Sequence, residues 1–347
     1  MHMTEGNIAR KVKKLINKPD EFFADSPHSA LQRFGALLKR GAPTVASYVS
    51  RAASPTSAHA NDGQGASTSS ASSQAQHQDR RIENARSAEY ADDARKLAGF
   101  AVALAATDYP FASEGVVMGQ PSYRSIGLEF LRYFIKWGEL SPEDDVLDVG
   151  CGGGRMAAAI GYYLSPSASY VGFDVHRGSI NWCLDNISTR WPNFRFDHYA
   201  IGNSRYNPRG ALKAESFAFP YADATFSFAI ATSLFTHLTR QEVRQYLAEI
   251  ARVLRHGGRL FSTAFLMTPA AEAAARHGTP TIKFEHQFGE NPVQSLEQPM
   301  AAVAQHESVF FADVTEAGLV IDRIAYGWWS GLRTSNGMQD IIVLRKP

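Results

Sequence analysis

Two cysteines in 347 residues are too few for a disulfide framework or a cysteine-based zinc site, and set the expectation of a reduced, cytoplasmic protein. No apolar run approaches the roughly 18–20 residues that a bilayer-spanning helix needs. The opening MHMTEGNIARKVKK has no apolar stretch behind its charges, so no secretory signal is expected. The 11 histidines show neither HExxH nor a paired ligand spacing, so no metal is expected. Charge is nearly balanced, with 35 Lys and Arg against 34 Asp and Glu. A net charge of +1 gives no overall attraction to nucleic acid.

The balance hides a split. Residues 1–51 hold nine basic side chains and four acids, a net of +5, which leaves −4 for the remainder. That pattern reads as a basic arm on a mildly acidic body. Residues 52–78 contain no apolar side chain larger than alanine and one charge, Asp62. Such a stretch buries too little surface to offset its ordering entropy, so a linker is expected over 52–79. A helical cap segment is expected over 80–120 and the main domain over 121–347. Within the arm, Ile8, Val12, Leu15 and Ile16 recur at helical spacing beside Lys11, Lys13 and Lys14. Residues 8–40 can therefore lie on an anionic membrane surface at the inner face of the membrane, or dock on protein.

Beyond residue 120 the pattern alternates. GLEFLRYFIKWG (127–138) reads as an apolar-faced helix, and from Asp145 strands and helices take turns. DVLDVG, SYVGFD, NFRFDHY, TFSFAIATSLF and GRLFSTAFL read as strands, MAAAIGYYL and SINWCLDNISTRW as helices. Thr239 with Glu242 has the capping-box spacing that opens a helix. Val243, Tyr246, Leu247, Ile250, Val253 and Leu254 form its stripe, and Gly257-Gly258 are expected to stop it. LVIDRIAYG and DIIVLRK read as a final pair of strands. Strands apolar along most of their length imply a mostly parallel sheet covered on both faces, an α/β fold.

The informative run is Val146-Leu-Asp-Val-Gly-Cys-Gly-Gly-Gly-Arg155. A strand that ends in a glycine turn opening a helix aims free N–H groups at a ligand. The dinucleotide pattern G-x-G-x-x-G/A fails from Gly150, where Arg155 takes the last place, and is met from Gly152 only through Ala157. Asp148, two residues before the first glycine, would repel a pyrophosphate but suits a cationic amino-acid tail. That favours S-adenosylmethionine, with its ammonium and sulfonium. Asp174, at the end of the second strand, is placed to accept ribose hydroxyls, or else to cap the following helix.

VLDVGCGGGR, YVGFDV, FAFPYADATFSFAIATSLFTHL and YLAEIARVLRHGGRLFSTAFL, in that order, resemble the class I S-adenosylmethionine-dependent methyltransferases. The resemblance covers about residues 121–347. It implies a Rossmann-like seven-stranded sheet with the last strand antiparallel, behind a helical N-terminal extension. It further implies a cofactor site from Asp148, Gly150, Cys151, Gly152, Gly154, Arg155, Asp174, Val175, Ile201 and Ser233. INWCLDNI, PNFRF, YNPRG and YGWWSGLRTSNGMQDIIV also resemble a bacterial subgroup often found with glycan or secondary-metabolite pathways. KVKKLINKPDEFFADS resembles a short element at the start of some bacterial capsule and surface-polysaccharide enzymes. Two departures stand out. Ala200 occupies a position where relatives commonly carry an acid near adenine, and the fourth strand begins Phe226-Ser227 instead of Phe-Asp.

The implied reaction is in-line methyl transfer to a small-molecule or glycan hydroxyl, which needs a base. His237 in SLFTHL is the candidate; its alternative is to cap or pack the next helix. His286, in the irregular stretch 268–305 where a substrate lid is expected, is a second. Tyr326, Trp328 and Trp329 either stack on a sugar or form the edge of the core. Cys151 and Cys183 are expected to pack as small apolar groups. The competing readings are a non-catalytic cofactor-binding or scaffold protein, an NAD enzyme, and a nucleic-acid methyltransferase, the last disfavoured by the body's −4.

Overall fold

A computed structural model describes residues 96, 99–111, 123–277, 280–332, 334 and 337–347. The basic arm, the linker and most of the segment 80–120 lie outside the described residues. Two compact units divide the chain, Met1–Thr107 and Asp108–Pro347. In the first, residues 99–105 are helical.

The second unit opens with helix α1 (Tyr123–Lys136) and is built on seven strands. These are β1 (Val146–Val149), β2 (Tyr170–Asp174), β3 (Phe194–His198), β4 (Phe226–Ala231), β5 (Leu254–Ala264), β10 (Val320–Ala325) and β11 (Asp340–Arg345). Their order across the sheet is β10-β11-β5-β4-β1-β2-β3. Every pair from β3 to β5 is parallel, and β11 runs antiparallel to both of its neighbours. The expected seven-stranded, mostly parallel sheet with a reversed last strand is what the chain forms. β1 lies near the middle with all four residues buried, the signature of a strand covered on both faces. The chain winds outward from it in both directions, through β2 and β3 on one side and β4 and β5 on the other. That reversal opens a crevice beyond the carboxyl ends of β1 and β4.

Helices α2 (Arg155–Ile160), α3 (Arg177–Cys183) and α4 (Arg240–Val253) connect the parallel strands, and α3 continues as a π-helical turn through Leu184–Ser188. The Thr239–Glu242 capping box forms, with the Thr239 N–H and hydroxyl both donating to Glu242 Oε2, at 2.7 and 2.8 Å. One boundary differs from expectation. α4 stops at Val253 and not at Gly257-Gly258, which fall inside β5. There Gly257 takes φ +77°, and its N–H donates to the Lys346 carbonyl at 2.8 Å. The pair thus turns the chain at the start of β5, where the register to β4 shifts between Phe226 and Phe228.

Between β5 and β10 the chain forms β6 (Leu266–Met267), α5 (Pro269–His277), the hairpin β7 (His286–Phe288) and β8 (Asn291–Val293), a 3-10 turn at Pro299–Ala301, β9 (Gln305–His306) and α6 (Glu307–Glu316). Trp329 is core and not a sugar platform. It is 1% exposed, packs edge-on against Phe265 and Phe284, and donates its indole N–H to Asp340 Oδ2 at 2.9 Å. Asp340 also accepts the N–H groups of Leu266 (2.6 Å) and Gly327 (2.7 Å). One buried carboxylate therefore ties the start of β6, the β10–β11 connection and the start of β11 together.

Asp340→Ala leaves three N–H donors without an acceptor, each of which costs about 1–3 kcal/mol when buried. Urea unfolding should show a loss of about 2–4 kcal/mol with an unchanged slope. A loss below about 0.5 kcal/mol would show that water replaces the carboxylate at no cost.

Candidate active site

The turn after β1 explains the glycine cluster residue by residue. Gly150, Gly152 and Gly154 all adopt positive φ, at 76°, 53° and 70°, a region that costs an L side chain roughly 1–2 kcal/mol. A side chain on Gly152 would meet nothing within 4 Å, because the position opens on the cavity. Gly154 points the other way. A side chain there would run into Ile187 Cδ1 and come within 2.9 Å of Cys183 Sγ. Gly154 therefore lets α2 sit close to α3 and does not line the cavity, which corrects its expected place among the ligand-contacting residues.

Above this turn lies a cavity of about 830 Å³. Asp148, Gly150, Cys151, Gly152, Arg155, Asp174, Val175, Ile201, Ser233 and His237 all line it. The structure thus brings together ten of the sequence-derived positions from four separate segments. Asp148 is 1% exposed. Its Oδ2 accepts a hydrogen bond from the Tyr170 hydroxyl on β2, while Oδ1 is buried with no partner among the described residues. Burial pushes its carboxyl up to about 7, against the opposing pull of the Tyr170 hydrogen bond. The loop amide is held by another acid: Asp174 Oδ2 accepts the Gly152 N–H and Oδ1 the His176 N–H, both at 2.8 Å. Each oxygen of Asp174 keeps a lone pair for a ligand. Burial raises its carboxyl, and the two amides oppose the rise. The cap of α3 is His176, whose Nδ1 accepts from the Ser179 N–H at 3.2 Å, so Asp174 is free of that duty.

The rest of the lining comes from two connections. In the first, residues 201–212, Ile201 is 2% exposed; Asn203 Oδ1 accepts the N–H groups of Arg205 (3.0 Å) and Tyr206 (3.1 Å). The second is the turn at Glu297–Met300. His237 bridges them. Asn203 donates to its carbonyl at 3.3 Å, and its Nδ1 lies 2.9 Å from the Met300 carbonyl. A carbonyl only accepts, so Nδ1 carries the proton and Nε2 presents its lone pair. Nε2 lies 3.2 Å from the Tyr206 hydroxyl. Burial lowers the pKa of His237, with a smaller push in the same direction from the Arg205 charge. Ser233 holds a positive φ of 54°, fixed by its N–H donating to Thr263 Oγ1 at 2.8 Å and its hydroxyl to Gln339 Oε1 at 3.0 Å.

Other expectations do not reach the cavity. His286 sits on the exposed strand β7 and Tyr326 bonds Glu307; neither they nor Trp328 line it. The 268–305 stretch contributes through Glu297–Met300 instead. Ser227, at the start of β4, donates to Asp144 Oδ1 at 2.7 Å and accepts the Asp145 N–H at 3.0 Å. It belongs to the opposite end of the strand from the cavity, so the missing acid there has no bearing on a ligand. Reading residues alone missed Asn203, Arg205, Tyr206 and Gln298; the YNPRG stretch was the one hint, and it pointed to a subgroup without assigning roles.

Residues 147–262, from β1 through most of β5, match the model of a family described as a methyltransferase domain. Within those residues the chain carries a methyltransferase domain. Its fold is also similar to that of several solved structures. One is an S-adenosylmethionine-dependent methyltransferase from Methanosarcina mazei (19% identity, 61% of this chain and 96% of that one, TM-score 0.41). Another is a protein from Pyrococcus horikoshii (16%, 68% and 96%, TM-score 0.47). A third is an S-adenosylmethionine-dependent methyltransferase from Aquifex aeolicus (16%, 65% and 92%, TM-score 0.40).

The residues present fit S-adenosylmethionine, the cofactor that the sequence resemblance implies. The bare Oδ1 of Asp148 gives a buried anion for the amino-acid ammonium, where a diphosphate would be repelled. The open face of Gly152 admits close backbone approach, and Asp174 offers acceptors for the ribose. Among the described residues no cluster of ligands could hold a metal ion.

Two outcomes test this arrangement. A cation beside Asp148 stabilises its charged form, so binding of S-adenosylmethionine at pH 6 should release close to one proton. Affinity should then fall as pH drops below about 7. Calorimetry in buffers of different ionisation enthalpy counts the proton, and zero release at pH 6 refutes the contact. Gly152→Ala should weaken cofactor binding with a stability loss of only about 1–2 kcal/mol. Gly154→Ala should do the reverse, unfolding at distinctly lower urea because Ile187 and Cys183 must move.

Proposed function

We propose that the protein methylates a hydroxyl group on a glycan or glycosylated small molecule, with His237 as the base. The observation that carries this reading is the state of His237. The Met300 carbonyl fixes the tautomer, burial keeps the ring neutral near pH 7, and Nε2 is turned toward the cavity. Bound at the glycine turn, S-adenosylmethionine supplies a methyl group already activated on a sulfonium. What remains for the protein is to align the acceptor, exclude water and remove one proton. Nε2 can take that proton as the hydroxyl oxygen attacks, and a positioned base contributes typically about 10²–10⁴-fold. The Tyr206 hydroxyl, on the same nitrogen, marks where an acceptor hydroxyl would stand.

The side chains around that point suit a sugar. Asn203, Arg205, Tyr206 and Gln298 combine planar hydrogen-bonding groups with one half-exposed aromatic ring, a set that matches hydroxyls and a C–H face together. The resemblance of several stretches to a glycan-pathway subgroup points the same way. Among the described residues no helix is long and apolar enough to cross a membrane. We place the enzyme in the cytoplasm, with its basic arm over residues 8–40 holding it near membrane-bound assembly machinery or a protein partner.

Labelled S-adenosylmethionine and a panel of oligosaccharides and glycosides give the direct assay, with the product gaining one methylene in mass. His237→Gln should lower turnover by about 10²–10⁴-fold while cofactor affinity stays within a factor of two to three. Asp174→Ala should weaken cofactor binding by about a hundredfold, since two hydrogen bonds to a charged group are worth about 3 kcal/mol or more together. Full turnover in His237→Gln would remove the base from the scheme. Unchanged affinity in Asp174→Ala would remove the ribose assignment.

A further inference from the structure

The cavity also carries an exposed cation, Arg205, that forms no ion pair among the described residues. Arg190, Arg240, Arg252 and Arg259 each meet an aspartate or glutamate. Arg205 meets none among the described residues, although it lines the cavity beside His237. Its guanidinium lies over the Tyr206 ring, 5.5 Å from the centroid. Its backbone is pinned by Asn203, the same side chain that holds the His237 carbonyl. An arginine fixed at a cavity wall by its own main chain, stacked on an aromatic ring and left without a carboxylate, is arranged to grip an anion brought by a ligand.

We propose that Arg205 selects the acceptor by binding an anionic group on it, a sugar carboxylate or phosphate, so that the hydroxyl to be methylated lies at His237 Nε2. The inference rests on the sugar-hydroxyl reading above and narrows it to acidic or phosphorylated sugars. Glu297 and Gln298 line the same cavity from the turn at Glu297–Met300, where they offer an acceptor and an amide to sugar hydroxyls. The arrangement also links binding to chemistry. The positive charge of Arg205 is one of the influences that lower the pKa of His237. An anion seated on Arg205 cancels that influence and makes Nε2 a stronger base only when the matching acceptor is present.

The test uses the full chain loaded with S-adenosylhomocysteine, titrated by NMR with glucuronic acid, glucose 1-phosphate, glucose and glucosamine. Arg205→Gln is compared with Arg209→Gln, an exposed arginine outside the cavity lining. The anionic sugars should bind about tenfold tighter than glucose, about 1.4 kcal/mol. Arg205→Gln should erase that difference and Arg209→Gln should keep it. The order of glucuronate and glucose 1-phosphate distinguishes carboxylate from phosphate. The His237 ring should titrate at higher pH with the anionic sugar bound, and not in Arg205→Gln. Equal binding of glucose, a preference for glucosamine, or a charge preference that survives Arg205→Gln overturns the proposal while the sugar reading stands. If no sugar of any charge binds to protein that still takes the nucleoside, the sugar reading falls and takes this one with it.

Discussion

A carboxylate buried at the end of the central strand sets the terms for everything around it. Burying an unpaired charge costs several kcal/mol unless something satisfies it, and the fold satisfies only half of Asp148. Tyr170, one strand away, covers one oxygen; the other is kept dry and bare. A stable chain could have placed an apolar residue there, as it does at the neighbouring Leu147 and Val149. A cationic partner arriving from outside would satisfy that oxygen and hold the acid in its charged form. The glycine turn, the closeness of α2 to α3 and the grip of Asp174 on Gly152 all serve to hold backbone at the edge of that oxygen without covering it.

The cavity is built in two ways. Its cofactor part comes from strand ends, whose positions are set by a sheet with both faces buried. Its acceptor part comes from two irregular connections, and both lean on His237, one through its carbonyl and one through its ring. One residue, through its main chain and its ring, therefore ties the two connections together. Because the Met300 carbonyl takes the Nδ1 proton, the turn at Glu297–Met300 also decides that Nε2 is the nitrogen with the lone pair.

The parts of this molecule that could be read before the structure are those governed by local rules. Strand alternation, the Thr239–Glu242 cap and an acid two residues before a glycine turn each express a short-range constraint, and each appears where expected. The misreadings share a cause as well. Gly154 and Gly152 look alike in sequence, yet one faces α3 and the other the cavity, because the turn reverses the chain between them. The partner of Asp148 is a tyrosine 22 residues away on another strand, a pairing set by sheet register. Trp329 looked available for a sugar until Asp340, Phe265 and Phe284 converged on it. His286 and Glu297 belong to one irregular segment, and no periodicity says which of them turns inward. Ser227 departs from the family's Phe-Asp at the start of β4, and that end of the strand lies away from the cavity, where Asp144 and Asp145 satisfy it.

The placement of charge gives the cavity a direction. Its cofactor part carries Asp148 and Asp174, and its acceptor part carries Arg205 beside a neutral imidazole. Unit charges a few ångströms apart in a partly dehydrated site interact by about 4 kcal/mol at an effective dielectric of 20, far more than the same pair in water. On the reading proposed above, a cationic donor would be drawn to the first part and an anionic acceptor to Arg205 in the second. A neutral sugar would gain orientation only from hydrogen bonds, which water also offers. An acidic one would be aligned before its hydroxyl reached Nε2. Charge placement of this kind turns a roomy cavity into one with a preferred pose, and it does so with side chains that contribute little to holding the fold.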